Sequence, residues 1–278
     1  MYEPYYAPLP DPEAYLRRLE TVRKAPSKEY LDELIFAHQT HVVFENLDVC
    51  DLRRPVSLTT EDMYKKVVEM GRGGYCFELN GLFVKLLCAL GFEAWSSPCR
   101  MMSEDGCPPP VRHRGNTVRI DGRLYFCDLG FGGPVPSFAI EIEEGLRQSK
   151  NGETYWLERA GESWWLLRRV AGGKNDLVKE GPIPEDEDAI REESVVLLSP
   201  AKWEPVDFVY ANEACQQPDC IFYQQCRVNL RREDGYIALT GNVFARVKNG
   251  VRERREVSEE EARRIIRDEF GLNIAWRQ

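Results

Sequence analysis

No stretch of this 278-residue chain approaches the ~18 uninterrupted apolar residues of a membrane-spanning helix, so no membrane span is expected. No block of basic residues occurs either. Lys+Arg number 37 against 46 Asp+Glu, a formal net charge of -9, which argues against nucleic acid or an anionic membrane surface as a partner. The opening MYEPYYAPLPDPEAYL has neither a basic start nor an apolar run, so no cleavable signal is expected. CxxC is absent. The nine Cys (50, 76, 88, 99, 107, 127, 215, 220 and 226) are odd in number and irregular in spacing. Together these features point to free thiols in a reducing cytoplasm and to no metal site. The Cys215, Cys220 and Cys226 run has no nearby His and reads as incidental. Histidine is scarce, with only His38, His41 and His113.

What is present supports a substantial core. Apolar residues make up 43% of the chain, enough for one to three compact units. The first third reads as helices. Asp11 caps a helix with Pro12 at its first position and Tyr15, Leu16, Leu19 and Val22 on one face. Ser27 caps a second with Leu31, Leu34 and Ile35. Thr59 and Asp62 resemble a capping box ahead of Met63, Val67 and Met70. From Cys76, the residues Phe77, Leu79, Leu82, Phe83, Leu86, Leu87 and Leu90 predict a buried helix stopped by Gly91.

The period then changes to that of strands. Asp121-Gly122 between Val118–Ile120 and Leu124–Asp128 predicts a hairpin, and Thr154–Val170 a second around Ala160–Ser163. Lys179–Glu193 is Pro- and acid-rich and reads as a solvated linker. Asp234-Gly235 and Asn249-Gly250 mark two more turns, and a final helix runs from Ser258 to a stop at Gly271. The order of helices, sheet, then sheet plus helix favours α+β over a parallel βαβ fold.

The chemistry centres on GRGGYCFELNGLF, Gly71–Phe83. Cys76 stands where a Gly turn becomes a helix. Free N–H groups and the partial positive charge of a helix start favour a thiolate there and can receive an oxyanion. A lone Cys is otherwise a small buried hydrophobe, and that is the reading for Cys88 within the Leu-rich helix. A nucleophilic Cys needs a base. His38 and His41 read as a surface or capping pair. His113 is placed by the hairpin: if Asp121-Gly122 is a two-residue turn, paired positions sum to 243 and Asp128 faces Gly115. His113 then lies on the same face as Asp128, a diagonal neighbour within reach. A Cys76–His113–Asp128 triad follows, with hydrolase and transferase both open.

These residues resemble the arylamine N-acetyltransferase family. The resemblance rests on FENLDV (Phe44–Val49), RGGYCFELNGLF (Arg72–Phe83), His113 fifteen residues before Asp128, and DLGFGG (Asp128–Gly133). DFVYANEACQQPDCIFYQ (Asp207–Gln224) matches more weakly. Val43 stands where the family usually has Pro, and Leu129 where Val is more usual.

The resemblance implies an α+β fold in three parts: a helical bundle at 1–91 with the nucleophile, a β-barrel-like domain at 92–193 with His and Asp, and an α/β lid at 194–278. It implies acetyl-CoA as acyl donor, with no metal, and a ping-pong transfer through an acetyl-Cys76 thioester to an arylamine, hydrazine or N-hydroxyarylamine. Gly130, Gly132 and Gly133 would lie at the coenzyme, Phe131 would contact the acceptor, and Glu45 with Arg72 would form a structural ion pair. The alternatives are an amide synthase or amide hydrolase using the same triad on another acyl group, and a binding module that keeps only the fold.

Overall fold

The computed structural model describes residues 1–102, 109–130, 133–172, 176 and 189–276. Its first part contains helices α1 (Glu3–Tyr6), α2 (Pro12–Arg18) and α3 (Lys28–His41), a short strand β1 (Phe44–Glu45), then α4 (Leu47–Cys50), α5 (Thr60–Tyr64) and α6 (Cys76–Ala89). The expected caps are made: Asp11 accepts from the Ala14 N–H, Ser27 from Tyr30 and Thr59 from Asp62. Two predicted faces end early. Helix α2 stops before Glu20, whose φ is +54°, which leaves Val22 66% exposed. Helix α5 runs into a π-helical turn at Lys65–Glu69, where the Met70 N–H reaches back to the Lys65 carbonyl. The extra residue in that turn rotates Met70 out to solvent.

Eight strands follow: β2 (Glu93–Met101), β3 (His113–Ile120), β4 (Arg123–Cys127), β5 (Ile140–Glu141), β6 (Gln148–Lys150), β7 (Glu153–Arg159), β8 (Trp165–Ala171) and β9 (Arg191–Leu198). They form one antiparallel sheet in the order β5-β4-β3-β2-β9-β8-β7-β6. Its two edges meet where the Glu141 N–H donates to Gln148 Oε1 at 2.8 Å, so the sheet curls into a nearly closed barrel. Strand β9 crosses the expected 193/194 division, and the barrel sheet runs on to Leu198.

The last part holds α7 (Val209–Cys215), α8 (Ile221–Gln224), β10 (Arg227–Arg232), β11 (Gly235–Thr240), β12 (Val243–Lys248), β13 (Val251–Glu256) and α9 (Glu259–Asp268). Strands β10 to β13 form an antiparallel meander, and β1 from the helical part adds to its edge through Phe44↔Asn229. Helix α9 lays Ile265 and Ile266 on this sheet beside Leu239 and Phe244. Asn249-Gly250 forms its turn as expected, with both residues at positive φ. The earlier turn is displaced by one residue. Arg232 pairs with Gly235, so the turn is Glu233-Asp234 and Gly235 opens β11. A Cβ on Gly235 would lie 2.0 Å from the Val247 carbonyl oxygen, which is why a Gly stands there.

Candidate active site

The turn before α6 is held backbone to backbone against β1. Gly74 donates to the Val43 carbonyl at 3.3 Å, and Glu45 donates to the Gly74 carbonyl at 2.9 Å. A Cβ on Gly73 would lie 1.9 Å from the Val43 oxygen, so this approach requires Gly. Arg72 donates from Nε and one terminal nitrogen to Glu45 Oε1 at 2.9 and 2.7 Å, the ion pair expected from the resemblance. The structure enlarges that pair. Lys66 contacts Asp48 at 2.6 Å and Glu78 at 2.7 Å, and Arg72 reaches Asp48 at 3.4 Å. Three carboxylates thus face two cations, and burial pushes Glu78 up to about 7 against the pull of Lys66. Glu78 also accepts the Tyr75 N–H at 3.1 Å, which ties this network to the residue before Cys76.

Cys76 is the first residue of α6 and is 2% exposed. The Asp121-Gly122 turn has both residues at positive φ, and the register Ile120↔Arg123 through Asn116↔Cys127 keeps the expected sum. His113 and Asp128 meet as that register predicts: Nε2 lies 2.5 Å from Asp128 Oδ2. Burial works against the imidazolium, but Asp128 and Cys76 outweigh it and push His113 up to about 10. Cys76 is itself a hydrogen-bond partner of the ring. The three side chains therefore converge at the start of α6, in the arrangement that a nucleophile, a base and an orienting carboxylate would require.

Two residues that the sequence reading did not single out hold Asp128. Asn80 lies one turn after Cys76 on α6. Its Nδ2 donates to Asp128 Oδ1 at 2.8 Å and to the Arg114 carbonyl at 2.7 Å, while its Oδ1 accepts from Leu129 at 3.1 Å. Gln39 of α3 donates to the carbonyls of Asp128 (3.0 Å) and Pro136 (2.9 Å) and accepts from Arg231 Nε at 2.8 Å. The i+4 spacing from Cys76 was a sequence signal for Asn80. Gln39 had none, since its partners lie 89 or more residues away.

A cavity of about 630 Å³ opens between α3, the loop after Asp128 and strands β10 and β11. Phe44, Leu129, Gly130, Gly133, Tyr236 and Arg231 are among its lining residues. Of the loop residues expected at the ligands, Gly130 and Gly133 line this cavity, while Phe131 and Gly132 lie outside the described residues, as do Cys107 and residues 179–188 of the expected 179–193 linker, whose last three residues instead begin β9. Leu129 and Phe44, which line this space, belong to the same apolar cluster as Cys76.

His38 departs from its expected surface role. It is fully buried, bonded to Tyr15 Oη at 2.8 Å, and burial, with Arg18 and His41 adding to it, pushes its pKa down to about 3. It continues the α3 stripe of Leu31, Leu34 and Ile35. Cys88 is exposed, on the solvent side of α6. The eight described cysteines are free, but Cys215 contacts Cys220, and Cys50 contacts Cys226. Among the described residues no cluster of three or more His, Cys, Asp or Glu is arranged to hold a metal, and no helix is long and apolar enough to cross a membrane.

The sequence pattern of the N-acetyltransferase family matches residues 28–278. The chain belongs to the arylamine N-acetyltransferase family. It is 35% identical over 145 residues to the arylamine N-acetyltransferase / N-hydroxyarylamine O-acetyltransferase of Salmonella typhimurium, covering 52% of this chain and 51% of that one. The chain spans about half the length of the bacterial curated relatives it matches. Against human arylamine N-acetyltransferase 1 the match is 27% over 95% of this chain and 94% of the relative. The solved Mycobacterium marinum arylamine N-acetyltransferase in complex with CoA superposes with a TM-score of 0.83 at 26% identity, over 95% of this chain and 94% of that one. The helical part, barrel-like sheet and C-terminal sheet with helix are thus the family's α+β fold.

Proposed function

We propose that this protein is an acetyl-CoA:arylamine N-acetyltransferase with Cys76, His113 and Asp128 as its catalytic residues. The observation that carries the reading is the buried contact of His113 with both Asp128 and Cys76, at the first turn of α6. In the first half-reaction the Cys76 thiolate attacks the acetyl-CoA carbonyl. The new S–C bond forms as the bond to the coenzyme sulfur breaks, and the His113 proton passes to the departing CoA thiolate. An arylamine or hydrazine, neutral near pH 7, then attacks the acetyl-Cys76 carbonyl. The N–C bond forms, the C–S bond breaks, and His113 takes the amine proton. Asp128, fixed by Asn80 and Gln39, keeps the imidazole in the orientation both halves need.

The cavity of about 630 Å³ between the barrel and the C-terminal sheet has the size of a small-molecule site. Gly130 and Gly133 line this cavity and would lie at the coenzyme, and Phe131 and Gly132 belong to the same loop. The protein would act in the cytoplasm, on small aromatic amines, with no nucleic-acid partner. Its three regions divide after the helical part and after Leu198. Incubation with acetyl-CoA alone is expected to add one acetyl group to Cys76, read by mass spectrometry of its peptide, and later addition of an arylamine to remove it. Folded protein that never acetylates would overturn the proposal.

A further inference from the structure

The charges of the triad do not sum to zero. In the reactive form Cys76 is a thiolate, His113 an imidazolium and Asp128 a carboxylate, a net charge of one negative. All three residues are at most 2% exposed. An uncompensated charge at such a depth is costly. Among the described residues, Tyr75 and Cys99 on β2, which interact with Cys76, are held neutral by burial, and Cys215 at the end of α7 is held neutral by its bond to Cys220 and by burial.

Arg114 is the exception. It follows His113 on β3 and is 1% exposed. Its Nε and one terminal nitrogen donate to Ser96 Oγ at 3.0 and 2.7 Å, and the other donates to the Phe77 carbonyl at 3.4 Å. The guanidinium lies 4.7 Å from the centroid of the Phe208 ring. Every one of these partners is neutral, and no ion pair among the described residues includes Arg114. Helix α6 is notched to receive it, since a Cβ on Gly81 would lie 2.5 Å from the guanidinium. Phe77 directly follows Cys76, so this cation is held at the first turn of the nucleophile's own helix. Hydrogen bonding to a serine and a carbonyl would not by itself favour a full buried charge over a neutral amide. Burial pulls Arg114 down to about 9, and Cys76 acts on it in the other direction.

We propose that Arg114 is the buried counter-charge of the catalytic centre, a positioning residue that holds Cys76 as a thiolate and brings the thiolate–imidazolium–carboxylate set to neutrality. The inference rests on the reading of Cys76 as the nucleophile. It carries a consequence for the cycle. Acetylation takes the charge off Cys76 while the His113 proton leaves with CoA, so the set with Asp128 and Arg114 stays neutral. Attack by the amine expels Cys76 as a thiolate beside Arg114 while His113 regains a proton, and the sum is again zero.

The test is the rate of iodoacetamide alkylation of Cys76, followed by mass spectrometry of its peptide from about pH 5 to 9. Wild type, Arg114→Lys and Arg114→Met are compared, with folding checked by circular dichroism. Arg114→Met is expected to move the alkylation midpoint to higher pH and to slow the reaction near neutrality about tenfold. Arg114→Lys is expected to recover most of the loss. A folded Arg114→Met with an unchanged midpoint overturns the proposal, as does Arg114→Lys behaving like Arg114→Met. Should Arg114→Met fail to fold, Arg114→Gln keeps donors to Ser96 and carries the same comparison. A wild-type Cys76 alkylated no faster than exposed Cys88 would overturn the nucleophile itself, a failure separate from that of Arg114.

Discussion

His113 is the residue on which the geometry concentrates, and its proton gives the clearest pH signature. Its pKa in the folded chain is raised to about 10, against an ordinary value of 6.5. The stability this proton contributes is therefore fully present below about pH 6.5 and is lost as pH rises through about 10. Asp128→Asn removes the larger of the two influences that outweigh burial. The His113 titration, followed by NMR, is expected to move to lower pH, and acetyl transfer to fall about 10²-fold or more. A titration left near pH 10 in that variant would count against the pairing. His38 has the opposite sign. Its folded pKa is depressed to about 3, so the stability of keeping it neutral is present above about 6.5 and lost as pH falls towards 3. The pairing of His113 with Asp128 was legible because a two-residue turn fixes which side chains share a strand face. Asn80 and Gln39 were less so, because their roles depend on which element packs over the end of β4.

The elements show where glycine is a steric requirement and where it is a conformational convenience. At Gly73 an added methyl would lie 1.9 Å from a backbone oxygen of the β1 segment, and neither side can yield without moving the turn that places Cys76. Gly122 has open space around it, and only its φ of +79° resists substitution. Gly73→Ala is therefore expected to lower stability by about 3 kcal/mol or more and to abolish acetyl transfer. Gly122→Ala should cost about 1 kcal/mol with activity nearly retained. Urea unfolding monitored alongside acetyl-CoA turnover separates the two cases, and equal losses at both positions would contradict the close approach. Caps and hairpin turns were readable because their hydrogen bonds close within a few residues. The ends of α2 and α5 were not, since a left-handed Glu20 and a π-helical turn override an apolar period that continues past them.

Across the whole molecule the sequence pattern yields the order of parts but not how they are joined. Strand β1 is only two residues long, has no alternating pattern, and pairs with β10 more than 180 residues later. Nothing local announces such a bond, because its partner is specified by the packing of Val43 and Leu47 against Val228 and Leu230. The same seam carries Arg231 of β10. Its guanidinium donates to Gln39 Oε1 and Glu153 Oε1, each at 2.8 Å, and to the Val135 carbonyl at 2.9 Å, reaching α3, β7 and the loop after Asp128. Gln39 in turn holds the Asp128 carbonyl. A perturbation in the C-terminal sheet thus has a short physical route to the carboxylate that orients His113. Arg232, its neighbour, bonds the Glu269 carbonyl within the C-terminal part. Arg231→Ala strands the Gln39 acceptor and the Glu153 carboxylate and is expected to cost about 2–3 kcal/mol, with a fall in kcat for acetyl transfer. Arg232→Ala should stay within about 0.5 kcal/mol with kcat unchanged. Parallel denaturation and steady-state kinetics on the two variants decide the matter: equal effects would show that the seam does not couple to the site, and a loss confined to Arg231→Ala would trace the route through Gln39.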